Sequence, residues 1–253
     1  MTSRRRKFSG FSLIEMMIVV LVLSLVLAAV FAQMIQGQQR ATAEDIKLEL
    51  FQESREFMDQ LVRDLHQAGV PNPRNFAANQ LGTNDAEKRQ NASVAYGLVK
   101  VAAGDQWFEG DVDGNGQVSV IRYHLDTTGP SCPCLKRSQM PKVAGDALTG
   151  QTEADYQVEV QNVLNGTTNF PLATNPIFLA YKVGDTTTPV TLPVDTVSDP
   201  STLANINTIK VQLTVRAAHP DPKTGERTVT TLVSTAKLNN CSMAASGAKM
   251  SCF

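Results

Sequence analysis

The sequence predicts an α+β protein in which one long N-terminal helix packs on an antiparallel β-sheet head. An apolar run at Phe11–Ala32, and apolar residues that recur at helical spacing as far as Ala68, predict the helix. Short runs that alternate apolar and polar residues in the rest of the chain predict half-buried strands. The chain accordingly divides into a leader at 1–10, a membrane-spanning helix at 11–32, an amphipathic extension at 33–68 and a β-rich head with long loops at 69–253.

The composition is that of a globular protein with an uneven charge distribution. Of the 253 residues, 42% are hydrophobic and 19% are charged, which allows a packed core and argues against disorder. The net charge is -1, although four basic residues lie among the first ten. Because the chain has no basic face, we expect no binding to nucleic acid.

A basic leader precedes the apolar run. Arg4–Lys7 supply four positive charges, and the 22 residues from Phe11 to Ala32 are interrupted only by Ser12, Glu15 and Ser24. A membrane helix needs roughly 20 such residues, and basic flanks stay on the cytoplasmic side. We therefore expect a single membrane pass, with the N-terminus in the cytoplasm and the rest of the chain outside it.

Three kinds of signal match this segment. A secretory signal peptide would be cut at the small-residue site Val30-Phe31-Ala32, a plain signal anchor would stay uncut, and a third kind would be cut between the leader and the apolar run. Glu15 favours the third. A carboxylate within an apolar span costs up to about 2.5–3.5 kcal/mol on insertion scales, so such a residue is a functional candidate.

Glu15 stands five positions after Gly10. Cleavage after Gly10 would give Phe11 a new, positively charged amino group, which Glu15 of a neighbouring subunit could neutralise. A desolvated pair of this kind is favourable only when both partners are present. The carboxylate would then set the register between identical helices, as a buried polar residue does in a coiled coil.

The segment Gly10-Phe11-Ser12-Leu13-Ile14-Glu15, behind its basic leader, resembles the signature of the type IV pilins and the type II secretion pseudopilins. The resemblance implies a pilin-like fold, cleavage after Gly10 and N-methylation of Phe11 by a prepilin peptidase/methyltransferase. It also implies that the helices of many subunits pack into a filament core through Phe11–Ala32, with Glu15 as the assembly residue.

The amphipathic extension continues the helix past the apolar run. Its apolar stripe recurs at three- and four-residue steps and comprises Ile46, Leu50, Ser54, Phe57 or Met58, Leu61, Leu65 and Ala68. Gly69-Val70-Pro71 then predicts the end of the helix. A helix from Phe11 to Ala68 would be roughly 87 Å long at 1.5 Å per residue.

The head is expected to be β structure joined by long loops. The predicted strands are Val94–Val101, Val118–Leu125, Tyr156–Val163, Ile177–Val183, Thr208–Ala217 and Arg227–Leu238, and the predicted loops are Asn72–Asn91, Gly129–Gly150 and Gly184–Asn205. In Thr208–Ala217 the apolar residues alternate with polar neighbours, which predicts that one face of this strand is exposed to solvent. The turn-rich segment His219–Gly225 predicts a hairpin between the last two strands.

The order of motifs in the head resembles the PilW-like minor pilins, relatives of the GspJ minor pseudopilins. The long stem is followed by Gly110–Gly116, Ile121-Arg122-Tyr123, Leu135–Ser138 and a late pair of apolar strands. The resemblance implies a minor pilin of a type IV pilus that acts in pilus assembly or initiation, at the tip. Its implied partners are the other major and minor pilins and the inner-membrane assembly platform.

Two alternatives to this function stay open. The first is a minor pseudopilin of a type II secretion system, which carries the same signature. The second is a membrane-anchored binding module that never polymerises. Loss of assembly in Glu15→Ala would separate a pilin from a simple anchor.

The loop Asp111-x-Asp113-x-Asn115-Gly116 matches the first half of a calcium-binding loop. Oxygens at alternate positions converge on one hard cation, and Gln117 would add a backbone carbonyl. The twelfth position is Arg122, where such loops carry a bidentate glutamate. Calcium is therefore one expectation, and a tight turn that enters the next strand is the other. We expect no other cofactor.

Four cysteines, Cys132, Cys134, Cys241 and Cys252, lie in the exported part of the chain, which favours disulfides. The pairing that we prefer joins the Cys132/Cys134 loop to the Cys241/Cys252 tail, because closing a loop of about 100 residues contributes up to about 4–5 kcal/mol. Pairing of adjacent cysteines within each segment stays open.

We do not expect an enzyme. Ser246-Gly247-Ala248-Lys249 and Lys223-Thr224-Gly225 match short motifs of penicillin-interacting serine enzymes. They occur in the reverse order and only about 20 residues apart, and Ser246 lies in the tail. The three histidines, His66, His124 and His219, are scattered and form neither a triad nor a zinc pattern.

Overall fold

A computed structural model describes residues 12–71, 76, 87, 90–129, 132–151 and 156–238. The leader with Gly10, the following Phe11, and the tail that carries Cys241, Ser246 and Cys252 lie outside these residues. Most of the predicted loop Asn72–Asn91 also lies outside them.

The stem is one continuous helix, α1, which spans Leu13–His66. Its 54 residues give a length of about 81 Å at 1.5 Å per residue. The helix ends at Gln67, and Gly69 follows with φ of 82°, a conformation that glycine adopts without a steric penalty. The predicted helix end at Ala68 is therefore confirmed to within two residues.

Nine strands and one short helix form the described part of the head. The strands are β1 (Leu98–Ala102), β2 (Asp105–Gly110), β3 (Ser119–Asp126), β4 (Cys134–Pro141), β5 (Tyr156–Val160), β6 (Phe178–Lys182), β7 (Val194–Asp195), β8 (Ile206–Arg216) and β9 (Val229–Lys237), and the short helix α2 spans Pro200–Ala204. Six strands form one sheet in the order β5-β4-β3-β2-β1-β7, and three form a second in the order β6-β8-β9. All pairings are antiparallel, which confirms the predicted α+β class.

The C-terminal part of α1 supplies one layer of the hydrophobic core. Phe57, Met58, Leu61 and Leu65 are buried, as the stripe predicted, and they join one cluster with apolar side chains from both sheets. The last two strands pair as a hairpin with regular register over nine residue pairs. The stripe and the hairpin are both confirmed.

Three expectations for the head were wrong. The predicted loop Gly129–Gly150 contains β4, the predicted loop Gly184–Asn205 contains β7 and α2, and β2 was not predicted at all. β2 and β4 are rich in charged residues, and those charges are paired inside the fold, so the strands lack the apolar alternation on which the prediction depended.

The polar face of β8 is also less exposed to solvent than expected. Thr214 is only 2% exposed, because the segment around Asn165 covers it. The side-chain oxygen of Asn165 accepts the N–H of Thr214 at 2.7 Å, and the N–H of Leu164 donates to the Thr214 carbonyl at 2.8 Å.

Candidate functional site

The N-terminal part of α1 projects from the head as an apolar surface. Its large hydrophobic side chains from Leu13 to Ile35 are all exposed, with Leu13 at 79% and Ile35 at 54%. This part of the helix is long and apolar enough to cross a membrane, and none of it is buried within the protein. Such a surface is stable only against lipid or against other apolar helices.

Glu15 lies in the first turn of this helix. The helix begins after Ser12, whose carbonyl oxygen accepts the N–H groups of Glu15 at 3.0 Å and Met16 at 3.2 Å. A carboxylate in the first turn interacts favourably with the helix dipole. Glu15 is exposed and forms no ion pair with another described residue, so its side chain is accessible to a cation from outside the described chain.

A buried polar contact fixes the other end of α1 to the head. The Tyr123 hydroxyl donates to Asp64 Oδ2 at 2.7 Å, and Arg137 Nε donates to the same oxygen at 2.8 Å. Burial and the neighbouring Asp64 carboxylate raise the pKa of Tyr123 well above its ordinary value, so the hydroxyl remains a donor. The Phe57 ring meets Tyr123 edge-on at 5.9 Å between ring centroids. Asp64 lies beside Leu61 and Leu65 on the buried side of the helix, but the apolar periodicity does not predict this contact.

The chain that leaves α1 is bonded to the end of β2. The N–H of Gly69 donates to the Glu109 carbonyl, and the N–H of Asp111 donates to the Val70 carbonyl, both at 2.8 Å. A Cβ atom at Gly110 would overlap the carbonyl oxygen of Gln67, and it would lie 2.9 Å from that carbonyl carbon. Only glycine allows the helix end to approach the strand this closely.

A buried ion pair lies at the same end of β2. Lys142 Nζ lies 2.7 Å from Glu109 Oε2, and neither side chain is exposed. The pair also ties down the segment before β1, because Lys142 donates to the Val94 carbonyl and Glu109 accepts the N–H of Tyr96, both at 2.8 Å. Glu109 and Lys142 lie 33 positions apart, and no local pattern in the sequence predicts their pairing.

Asp105 organises a second charged cluster, on the face of the six-stranded sheet that points away from α1. Lys100 Nζ lies 2.9 Å and Arg122 Nε 2.8 Å from its carboxylate, and the Arg122 guanidinium lies 4.2 Å from the centroid of the Trp107 ring. Burial raises the pKa of Asp105, but the nearby His124 and the hydrogen bonds from Arg122 and Lys100 outweigh it and hold that pKa well below its ordinary value. The cluster satisfies its own charges, so we assign it to the stability of the sheet.

The Asp111–Gln117 loop closes as a tight turn. The Asp111 carboxylate accepts the N–H groups of Asn115 at 3.0 Å and Gly116 at 2.9 Å, and the Asn115 side chain donates to Asp113 Oδ2 at 3.0 Å. The N–H of Gln117 donates to Asn115 Oδ1 at 2.7 Å. These hydrogen bonds describe how the loop is closed, and calcium binding at it stays a prediction.

Calcium binding at this loop predicts a thermal shift. At a calcium concentration ten times the Kd, binding would add about 1.4 kcal/mol to the free energy of unfolding and raise the Tm of the full-length protein. Asp113→Ala should abolish the rise. Asp185→Ala, at an exposed turn of similar geometry, should preserve it. The absence of any shift at millimolar calcium would end the hypothesis.

The cysteines pair differently from our preferred scheme. Cys132 is bonded to Cys134, with 4.3 Å between their Cα atoms, so the preferred link from this loop to the tail is wrong and the adjacent pairing is observed. The two cysteines are two positions apart, so their sulfur atoms bond within one short turn and the disulfide links no distant segments. Asp126 lies nearby, but bonded sulfurs are not thiolate ligands, and the Asp126 carboxylate already accepts Lys136 Nζ at 2.7 Å.

The remaining candidate groups do not converge. His66 lies in the last turn of α1, His124 on β3 and His219 in the connection from β8 to β9. Lys223-Thr224-Gly225 forms the turn in that connection, where the Asp221 carbonyl accepts the N–H of Gly225 at 2.8 Å. The expectation that the protein is not an enzyme stays a prediction.

The comparison with protein families agrees with the geometry of the N-terminus. Residues 5–31 match the model of the prokaryotic N-terminal methylation motif, a span that contains Gly10, Phe11 and Glu15. Searches of the curated proteins and of the solved structures gave no significant match. The motif supports a place in the type IV pilin-like superfamily, processing by a prepilin peptidase and assembly with other pilins in a membrane system.

Proposed function

We propose that the protein is a minor pilin of a type IV pilus. The observation that supports the proposal most strongly is the methylation motif at residues 5–31, which coincides with an exposed apolar helix that carries Glu15 near its start. The protein acts as a structural subunit and not as an enzyme. The same helix would contact the membrane lipid before assembly and the neighbouring subunits after it.

In this proposal the precursor is anchored in the inner membrane with its head in the periplasm. Cleavage after Gly10 exposes the amino group of Phe11, and the apolar segment then passes from lipid to the core of a filament. Glu15 pairs with the amino group of a neighbouring subunit and sets the axial register. The head stays outside that core, because among the described residues the side chains of α1 that join the hydrophobic core of the head lie in its C-terminal part, from Leu50 to Leu65.

A role at the tip, in initiation of the pilus, follows from the large head. A head of two sheets is bulky beside one stem, which suits a subunit present in few copies at the end of the filament. The processing motif also serves a type II secretion pseudopilin, so deletion of the gene separates these functions. Loss of surface pili with normal secretion supports the pilus, whereas loss of protein secretion alone supports the pseudopilin.

Mass spectrometry of the mature N-terminus tests the processing step directly. We expect the purified native protein to begin with a methylated Phe11. A first residue of Gln33 would show ordinary secretion with cleavage after Ala32. An intact leader with Arg4–Lys7 would show a plain anchor, and either result would overturn the proposal.

A further inference from the structure

Four strand edges face outward in the described sheets, and three of them are short, bulged or covered. β7 has only two residues, and β5 has five, carries Glu159 and pairs with β4 through a register shift. β6 is also bulged, and the N–H of Val190 donates to the Ala180 carbonyl at its edge at 2.8 Å. Such features protect edge strands from pairing with other chains.

The fourth edge, β9, lacks these protections over eight of its nine residues, and its one charged residue, Lys237, stands at its last position. It has nine residues, and all nine pair with β8 in an unbroken register. Its sequence from Val229 to Ala236 contains no proline, glycine or charged residue and is rich in threonine and valine, which favour strands. In the described chain β8 is its one strand neighbour, so its outer N–H and C=O groups form a row ready for another strand.

The side chains of β9 indicate what such a strand would contact. Val229 and Val233 are 46% and 55% exposed on one face, while Leu232 and Ala236 point to the opposite face, where Ala236 is buried and α1 packs. A strand laid along this edge would cover the exposed valines on one side and extend the apolar layer beneath α1 on the other. The absence of charge from Val229 to Ala236 favours an equally uncharged strand.

We propose that β9 accepts a strand from a neighbouring subunit of the filament. The donor is an extended, uncharged segment rich in β-branched residues. Its main chain adds a fourth strand to the β6-β8-β9 sheet, and its side chains lie alternately beside Val233 and Leu232. The inference rests on the proposed function, because the donor is another subunit.

Membrane topology excludes one simple donor, the β9 strand of a second copy related by a two-fold axis. Antiparallel pairing of two β9 strands places that axis perpendicular to the sheet. Because α1 packs along β9, the axis would reverse one stem relative to the other. Stems that share one membrane run in the same direction, so the donor is not a symmetry-related β9 but an extended segment of a neighbouring subunit.

Hydrogen exchange, measured on purified filaments and on the full-length subunit in detergent, tests the inference. Alternate N–H groups of a strand point to opposite edges, so about four amides in 229–237 should gain protection on assembly. Amides in 156–160, on the β5 edge, serve as the control and should not change. If the protein enters filaments but the amides in 229–237 gain no protection, the edge contact is overturned while the proposed function stands. The edge contact is also overturned if these amides are already protected in the isolated subunit. Wild-type protein that never enters filaments overturns both this inference and the proposed function.

A pair of lysine substitutions provides a second measurement. Val233→Lys introduces the charge that natural edge strands use as a block, at a side chain exposed enough to leave the isolated head folded. We expect its incorporation into filaments to fall about tenfold, equivalent to about 1.4 kcal/mol. Val197→Lys, at a 68% exposed position outside the strands, should be incorporated as the wild type is. Equal incorporation of the two variants would overturn the inference.

Discussion

Replacing Glu15 with alanine is expected to abolish incorporation into filaments while the protein still inserts in the membrane. The substitution removes a carboxylate that is costly in an apolar span, so insertion should be unchanged or better. It also leaves the amino group of a neighbouring Phe11 without its partner. Breaking a buried ion pair in this way costs about 3–5 kcal/mol, which corresponds to a loss of roughly a hundredfold or more. Immunoblots of sheared filaments and of membrane fractions measure the two effects separately.

Ser24→Ala is the matched control for this experiment. Ser24 is a second polar residue of the same apolar helix, and its hydroxyl donates to the Leu21 carbonyl at 2.8 Å, so it carries no charge to a neighbour. Ser24→Ala should assemble as the wild type does. Filaments that form equally well with Glu15→Ala would show that the carboxylate does not set the register and would remove the basis of the proposed assembly.

Replacing Lys142 with methionine is expected to destabilise the head by about 3–5 kcal/mol, because it leaves the Glu109 carboxylate buried without its cation. Thermal unfolding of the full-length protein in detergent measures the loss. Glu109→Gln combined with Lys142→Met removes both charges and should recover most of the stability. Lys136→Met, in a pair whose side chains are 24% and 20% exposed, should have a much smaller effect. A double variant no more stable than Lys142→Met would contradict this explanation.

The loss in Lys142→Met should also depend on pH. Burial raises the pKa of Glu109 above its ordinary value of 4.5, against the attraction and the hydrogen bond of Lys142, which lower it. An acid whose pKa is higher in the folded state binds more protons there, so its contribution to stability falls as pH rises between the two pKa values. Without Lys142 the folded pKa rises further. The deficit should therefore be largest at neutral pH and shrink as the pH falls towards 4.5.

Local periodicity predicted the parts of the fold whose contacts lie close in sequence. The stripe from Ile46 to Ala68 repeats every three or four residues, and α1 follows it almost to its end. The alternation in β8 predicted its buried face, where Ile209, Val211, Leu213 and Val215 are fully covered. Glu15 stood out as a candidate because its charge contradicts its apolar surroundings.

The missed elements depend on pairs of charges that meet only in three dimensions. β4 carries Arg137, whose partner Asp64 lies 73 positions earlier in α1. β2 carries Glu109, whose partner Lys142 follows β4. Local periodicity treats such residues as solvent-exposed, so it predicts a loop across β4 and no strand at β2. The same limitation affected the disulfide, since four cysteines allow several connectivities and only geometry selects Cys132–Cys134.

The close joint between α1 and β2 determines how the protein would carry a mechanical load. A pull along the stem would also load the end of the helix, where Gly69 and Val70 are bonded to the end of β2 and Asp64 is held by Tyr123 and Arg137. These bonds join two elements side by side, so tension would stretch several of them together instead of opening them one after another. A subunit built in this way transmits traction between its stem and its head without first unravelling its helix.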